Sequence, residues 1–436
     1  MAQRGMPQPT GRQPCRQQET VTMNFAKSLR CTSCGATYPA RVPYTCPACG
    51  ISGILDVQYD YSAVARHLSR RSLARRSDRN HWRYRELLPI GDGARLPALS
   101  VGWTPVTLAQ PLARHLGVGL LYLKDDGRNP TGSLKDRASS IGVVKAREKH
   151  KGIIACASTG NAASSCAGMA ASLGLRSVIF VPERAPEPKV TQLLIFDATV
   201  LRVRGSYEQA FQLCQQACEH WGWYNRNCAI NPYLIEGKKT CGLEICEQME
   251  WQVPDWVAVS VGDGCTVAGI WKGFREMKQL GLVARLPKML GVQAAGAAPV
   301  TAAFHSGGPI VPVDPHSIAD SIAVGVPRNG QKALAAIRES GGMMVSVTDD
   351  EIMDAMRYTG RLAGIFAEPA AAAAVAGLRR ARLDGVVGRR SSTLAVITGN
   401  GLKDIRGAHS AAGDPFEVTS DGSGLESILS GRGLIS

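Results

Sequence analysis

Between residues 120 and 398 the chain repeats one pattern. A short run of aliphatic residues leads into a turn of small polar residues, and a longer segment with helical periodicity follows. Strands are predicted over 120–124, 153–157, 177–181, 257–261, 289–293 and 394–398. Helices are predicted over 136–149, 162–173, 207–220, 266–280, 331–340, 350–362 and 369–380. Such regular succession constrains the fold to an α/β architecture with mainly parallel sheets covered on both sides. Ligands on such sheets bind beyond the strand C-termini, so the loops that follow strands are where chemistry is expected.

Composition narrows the class. Among 436 residues, 50 basic against 36 acidic side chains give a formal charge of +14, with 44% hydrophobic and 20% charged residues. A mean hydropathy of −0.06 is that of a globular chain and not of a membrane or disordered one. No run approaches the ~18 apolar residues of a membrane helix. Residues 1–26 carry arginines but no apolar stretch of signal type, and read as a disordered tail on a cytoplasmic protein. The Gly/Ser-rich segment 407–436 is expected to be loosely ordered. Thirteen cysteines, an odd number in a long chain, are expected as reduced thiols, with Cys214 and Cys218 on a helix face.

Four cysteines are different. Cys31-Thr-Ser-Cys34 and Cys46-Pro-Ala-Cys49 are two Cys-x-x-Cys knuckles, each followed by a glycine (Gly35, Gly50), and they predict a structural zinc ribbon over 27–60. Arginines 66, 70, 71, 75, 76, 79, 83 and 85 follow, faced only by Asp78 and Glu86. Beside a ribbon they raise nucleic-acid binding as an alternative, but Trp82 and Tyr84 make no stacking series, and a solvated helix face is preferred.

Three loops after predicted strands carry chemistry-bearing residues. In the first, 124–137, Lys135 opens a helix. A lysine buried at a helix N-terminus feels positive backbone potential that favours the neutral amine needed for a Schiff base. In the second, Ala157-Ser-Thr-Gly-Asn-Ala162, hydroxyls and backbone N–H groups suit a carboxylate, and the Asn161 amide can donate to a phenolic oxygen. In the third, Val261-Gly-Asp-Gly-Cys-Thr266, a helix N-terminus can hold a phosphate, with the Asp263 carboxylate expected to point away from it.

These loops, in this order, resemble those of fold type II pyridoxal phosphate enzymes (tryptophan synthase β-like), and the threonine synthase family most closely. The resemblance runs from Cys31 to about Ile405. It includes the ribbon, Trp82-Arg-Tyr-Arg-Glu-Leu-Leu-Pro, Trp103-Thr-Pro, Asn129-Pro-Thr-Gly-Ser-Leu-Lys-Asp-Arg, Asn231-Pro-Tyr, Glu236-Gly and Thr398-Gly-Asn-Gly-Leu-Lys-Asp. It implies a two-lobed catalytic region over 61–406, a homodimer and a lyase whose Lys135 holds the cofactor and moves substrate protons. It further implies that Asn161 bonds the cofactor phenolate, that Gly262, Asp263, Gly264, Cys265 and Thr266 hold its phosphate, and that Thr398 faces the pyridine nitrogen. Ser158, Thr159 and Ala162 would receive the carboxylate of a small amino-acid substrate. Where the family pattern has Asn-Ser-x-Asn-Pro-x-Arg to grip a substrate phosphate, this chain has Cys228, Ala229 and Leu234 at the three gripping positions. Losing charged hydrogen bonds, each worth about 1.5–3 kcal/mol, predicts a leaving group other than phosphate in β/γ-elimination or replacement. Lys238 or Lys239 could compensate in part, which would leave threonine synthase itself as the alternative.

Overall fold

The computed structural model describes residues 25–40, 44–183, 185 and 187–435. Most of the predicted N-terminal tail lies outside them. The ribbon is a three-stranded antiparallel sheet of order β2-β1-β3, formed by β1 (Ala26–Cys31), β2 (Thr37–Pro39) and β3 (Leu55–Tyr59). The remaining strands are β4 (Val106–Leu108), β5 (Leu120–Asp125), β6 (Ile153–Ala157), β7 (Arg176–Pro182), β8 (Thr199–Val203), β9 (Tyr224–Asn225), β10 (Trp256–Ser260), β11 (Lys288–Ala294), β12 (Met343–Val347) and β13 (Ser392–Ile397). They form two sheets. The six-stranded one has order β12-β11-β10-β13-β5-β4, parallel except for β4, and the four-stranded one, β8-β7-β6-β9, is parallel throughout.

Each predicted strand is present, with ends shifted by at most two residues; Thr398, predicted inside the last, lies one residue past β13. Helix Leu234–Gln248 was not predicted. It carries Glu236, Lys238, Lys239 and Glu244, yet all four are buried. Burial is possible because most of these charges are matched: Lys239 pairs with Glu236 at 2.6 Å and Glu276 at 2.9 Å, and Glu244 pairs with Lys124 at 2.7 Å and Arg137 at 2.6 Å. The helix also needs glycine where neighbours press closest. A Cβ on Gly242 would meet the Ile270 carbonyl at 2.4 Å, and one on Gly237 would overlap the Arg137 carbonyl.

The arginine segment is only partly the solvated face expected of it. Arg66, Arg71, Arg75, Arg79 and Arg85 are exposed. Arg83 is buried against Glu247 at 2.6 Å, Arg76 pairs with Glu86, and Arg70 donates to the Leu282 carbonyl while lying over Trp251. Beyond Gly407, helix Ile405–Ala412 buries Gly407, Ala408 and Ala411, and a second helix, Leu425–Gly431, is exposed or nearly so throughout. No helix of the described residues is long and apolar enough to cross a membrane.

Candidate active site

Three neighbouring parallel strands, β10, β13 and β5, lead at their C-terminal ends into the three segments that hold Gly262–Thr266, Thr398 and Lys135. The last two are stitched together. Leu134 donates its N–H to the Thr398 carbonyl at 2.9 Å, Ser133 bridges to Gly399, and Asn400 donates to the Gly132 carbonyl at 3.0 Å. Asp126 and Arg137, joined at 2.7 Å, brace the same loop from below. Lys135 therefore begins its helix from a rigid base. Burial, and after it the Lys238 ammonium, push the Lys135 amine below the usual lysine range, with Arg226 adding to the effect and Cys228 and Glu368 opposing it.

The Gly262–Thr266 loop turns into helix Cys265–Gln279 through Gly264 at φ +89°. A side chain there would be strained, and its Cβ would meet the Asn329 carbonyl at 2.7 Å; on Gly262 it would meet Ile322 Cα at 2.9 Å. Asp263 accepts the Arg328 N–H at 2.8 Å through its carboxylate, so the acid serves the neighbouring loop. Burial raises its pKa.

The fourth piece arrives from the other sheet. After β6, Ser158 accepts the Gly160 N–H at 3.1 Å and shapes the turn into helix Asn161–Leu173. Thr159, Gly160 and Asn161 line a cleft together with Ser164, Glu368 and Lys403; Ser158, Ala162, Lys135, Thr398 and the Gly262–Thr266 loop are not in its wall. Asn161 Nδ2 donates to both Glu368 carboxylate oxygens at 2.9 Å. Glu368 was not anticipated from sequence, although an acid directly before a helix-opening proline is a visible signal. It stands at the N-cap of helix Pro369–Leu383 without capping it, because its carboxylate turns to Asn161. Burial pushes this carboxyl above the ordinary glutamate range against the pull of the Asn161 hydrogen bonds and Lys135.

A second, smaller cavity is lined by Cys228, Ala229, Leu234, Lys238 and Cys265, by Asn231, Asn329 and Lys332, and by Ile54 and Leu55 of the ribbon. Lys239 belongs elsewhere, neutralised by its two glutamates. Lys238, 1% exposed, approaches Cys228 Sγ at 3.4 Å. Arg226, fully buried, reaches the same sulfur at 3.5 Å and Ser139 Oγ at 3.0 Å, while its Nη2 has no hydrogen-bond partner among the described residues. Sequence reading passed over Arg226 because an arginine in a strand-to-helix connection carries no motif.

Comparison with known proteins settles the lineage. Residues 98–399 match the family model described as pyridoxal-phosphate dependent enzyme. The chain is 39% identical to the threonine synthase of Methanocaldococcus jannaschii over 92% of this chain and 98% of that one, and 40% identical to the threonine synthase of Methanosarcina acetivorans over 93% and 99%. The chain belongs to the threonine synthase family. Among solved structures, threonine synthase family architecture is matched at the level of fold by the tomato (Solanum lycopersicum) threonine deaminase isoform 2, with TM-score 0.60 and 23% identity over 71% of this chain and 87% of that one. The serine racemase of maize gives 0.60 and 20% over 76% and 93%. This member of the threonine synthase family is thus a pyridoxal-phosphate-dependent lyase acting on an amino acid. The residues present fit the cofactor: an amine of lowered basicity, a glycine cradle closed to any side chain, and an amide facing them.

At the other end of the molecule the four predicted cysteines converge, their sulfurs all within 4.8 Å of one another. Cys31 and Cys49 are 4.0 Å apart, and Cys34 and Cys46 3.7 Å. A tetrahedral zinc–thiolate centre requires about 3.8 Å between sulfurs, given zinc–sulfur bonds of about 2.3 Å. Cys214 and Cys218 are buried among apolar neighbours and join no such group.

Proposed function

We propose that the chain catalyses β- or γ-elimination or replacement on a small L-amino acid, with Lys135 as the residue that holds the cofactor and moves the substrate's α-proton. The supporting observation is an amine of lowered pKa on the residue next to the Leu134–Thr398 backbone bond, near enough to Glu368 of the Asn161–Glu368 pair to feel its charge. When bound, pyridoxal phosphate supplies the electron sink that lets a proton leave Cα and a substituent leave the side chain. Gly262, Asp263, Gly264, Cys265 and Thr266 would hold its phosphate through backbone donors at the helix N-terminus. Asn161 would donate to its phenolic oxygen, and Glu368 keeps that amide oriented. Thr398 would offer the ring nitrogen a neutral hydroxyl, which tempers the sink and favours elimination over transamination. Ser158, Thr159 and Ala162 would take the substrate carboxylate. Lys135, less basic than an ordinary lysine, can accept the α-proton at moderate pH and return it at a neighbouring carbon.

The reading of the leaving group draws its support from the second cavity. Cys228, Ala229 and Leu234 offer that group no hydroxyl, amide or guanidinium, Arg226 and Lys238 both turn to Cys228, and Lys332 is paired with Asp56, which leaves the neutral Asn231 and Asn329 as the remaining polar side chains of the wall. A substituent without phosphate's double charge suits this wall. The second reading, threonine synthase acting on O-phosphohomoserine, has its own support in the Arg226 Nη2, which has no partner among the described residues, and in the relatives' names. A panel of phosphorylated and unphosphorylated homoserine, serine and threonine derivatives decides between them. Product from the unphosphorylated members supports the first reading; stoichiometric inorganic phosphate and threonine from O-phosphohomoserine alone overturns it.

The ribbon would hold one structural zinc ion through Cys31, Cys34, Cys46 and Cys49. The same reading makes the protein a cytoplasmic homodimer.

A further inference from the structure

Cys228 has an environment unlike that of any other described cysteine outside the ribbon. Lys238 Nζ stands 3.4 Å from its sulfur and Arg226 Nη1 3.5 Å, two buried cations that meet no carboxylate among the described residues at ion-pair distance. Other buried cations nearby are treated differently: Lys124, Arg137 and Lys239 each have a carboxylate at 2.6–2.7 Å. Sulfur therefore occupies the place of the counter-anion. Cys228 packs with Cys265, Ala229 and Ile54 in one cluster, both cysteines line the second cavity, and Cys228 is only partly buried, so a small reagent can reach it. The Cys265 thiol donates to the Asp263 carboxylate at 3.8 Å, and the neighbouring Cys265, Lys238, Arg226 and Lys135 together hold the Cys228 thiol well below the ordinary cysteine range against the opposing effect of desolvation. Cys214 and Cys246, by contrast, are pushed up.

We propose that Cys228 is a reactive thiolate, the modification site of this protein, and that peroxides convert Cys228 and Cys265 to a disulfide. In the first step the Cys228 thiolate attacks a peroxide oxygen. An S–O bond forms, the O–O bond breaks, sulfur loses two electrons to the peroxide, and hydroxide (or alkoxide) leaves. In the second, the Cys265 sulfur attacks the sulfenic sulfur, its proton leaves with the departing hydroxyl as water, and the S–S bond forms. Cys265 is the first residue of helix Cys265–Gln279, directly after Gly264, so the bond would tie the loop proposed for the cofactor phosphate to the 228–234 segment. This last consequence rests on the functional reading above; the reactivity does not.

The test uses the full chain loaded with zinc, with and without saturating pyridoxal phosphate. Iodoacetamide labelling at neutral pH, followed peptide by peptide by mass spectrometry, is expected to modify Cys228 at least about tenfold faster than Cys214 or Cys246, and Lys238→Met to remove most of that advantage. Dilute hydrogen peroxide is expected to give a peptide linked through Cys228 and Cys265. Cys265→Ser should instead stop at a sulfenic acid trapped by dimedone, and Cys228→Ser should give neither product. Faster labelling without the cofactor than with it supports the proposal and places the thiolate under the phosphate loop. Equal labelling rates at Cys228 and Cys214, or peroxide that leaves Cys228 reduced, overturns it. Because labelling requires no turnover, a failure of the proposed lyase reaction leaves this outcome readable.

Discussion

Leu134 gives its backbone N–H to the Thr398 carbonyl at 2.9 Å, so the residue directly before the lysine proposed to hold the cofactor is bonded to the residue proposed to face its ring nitrogen. The distance between those two functions is thereby fixed by main chain and not by side-chain rotamers. Activity is expected to depend on the lysine far more than on the hydroxyl. Lys135→Ala should abolish the borohydride-reducible visible chromophore and lower turnover by at least about 10²- to 10⁴-fold, whereas Thr398→Val should retain the chromophore. Absorption spectra and single-turnover product analysis check both.

Glu368 gives a pH signature. Its carboxyl is raised above the ordinary glutamate value by burial, with Asn161 opposing. Between the unfolded and the raised folded pKa the native state binds more protons than the unfolded state, so this group's contribution to stability falls as pH rises through that window. Glu368→Gln removes the dependence. Urea denaturation of wild type and variant is expected to show the variant gaining relative stability from about pH 4.5 upward, and a constant difference would contradict the assignment.

Glu244 behaves in the opposite sense. Despite burial, Arg137 and Lys124 hold its carboxyl down at about 2. Its stabilisation is complete above the unfolded glutamate value and is lost as pH falls from there through about 2. Glu244→Gln leaves two buried cations underpaired and is expected to cost about 3–5 kcal/mol at pH 7, with the difference shrinking in acid. Chemical denaturation across that range measures it.

Gly264→Ala places a Cβ 2.7 Å from the Asn329 carbonyl at a backbone φ of +89°. The expected cost is about 1–3 kcal/mol, and because the strain falls at the phosphate loop, cofactor affinity should fall with it. Equilibrium dialysis against pyridoxal phosphate separates that loss from simple unfolding.

Cys46→Ser is expected to reduce bound zinc from one equivalent to near none by atomic absorption. The ribbon's Asp56 pairs with Lys332 at 2.5 Å and Lys272 at 3.2 Å on the catalytic body, so metal loss should also lower its melting temperature.

The strands and the three loops could be read because each is a local pattern: a short apolar run, then glycine and a polar residue at a turn. What escaped reading was non-local. Helix Leu234–Gln248 looks too charged for a core until its partners are known, since Lys239 needs Glu276 and Glu244 needs Lys124 and Arg137. Edge strand β8, with exposed Thr199, Leu201 and Arg202, lacks the continuous apolar run that marks a central parallel strand. Glu368 has meaning only across the cleft, where Asn161 meets it from 207 residues away, and Arg226, although only two residues from Cys228, shows its setting only through burial against Ser139 of helix Lys135–Glu148.

The division of loops between the two sheets has a mechanical consequence. Lysine, threonine and the glycine cradle ride on one plate, β10-β13-β5, while the Ser158–Ala162 turn rides on the other through β6. Because Asn161 sits in that turn, the residues proposed for the cofactor are drawn from both plates, and a displacement of one plate against the other would be felt at the proposed ring contact and at the proposed grip on the amino acid together.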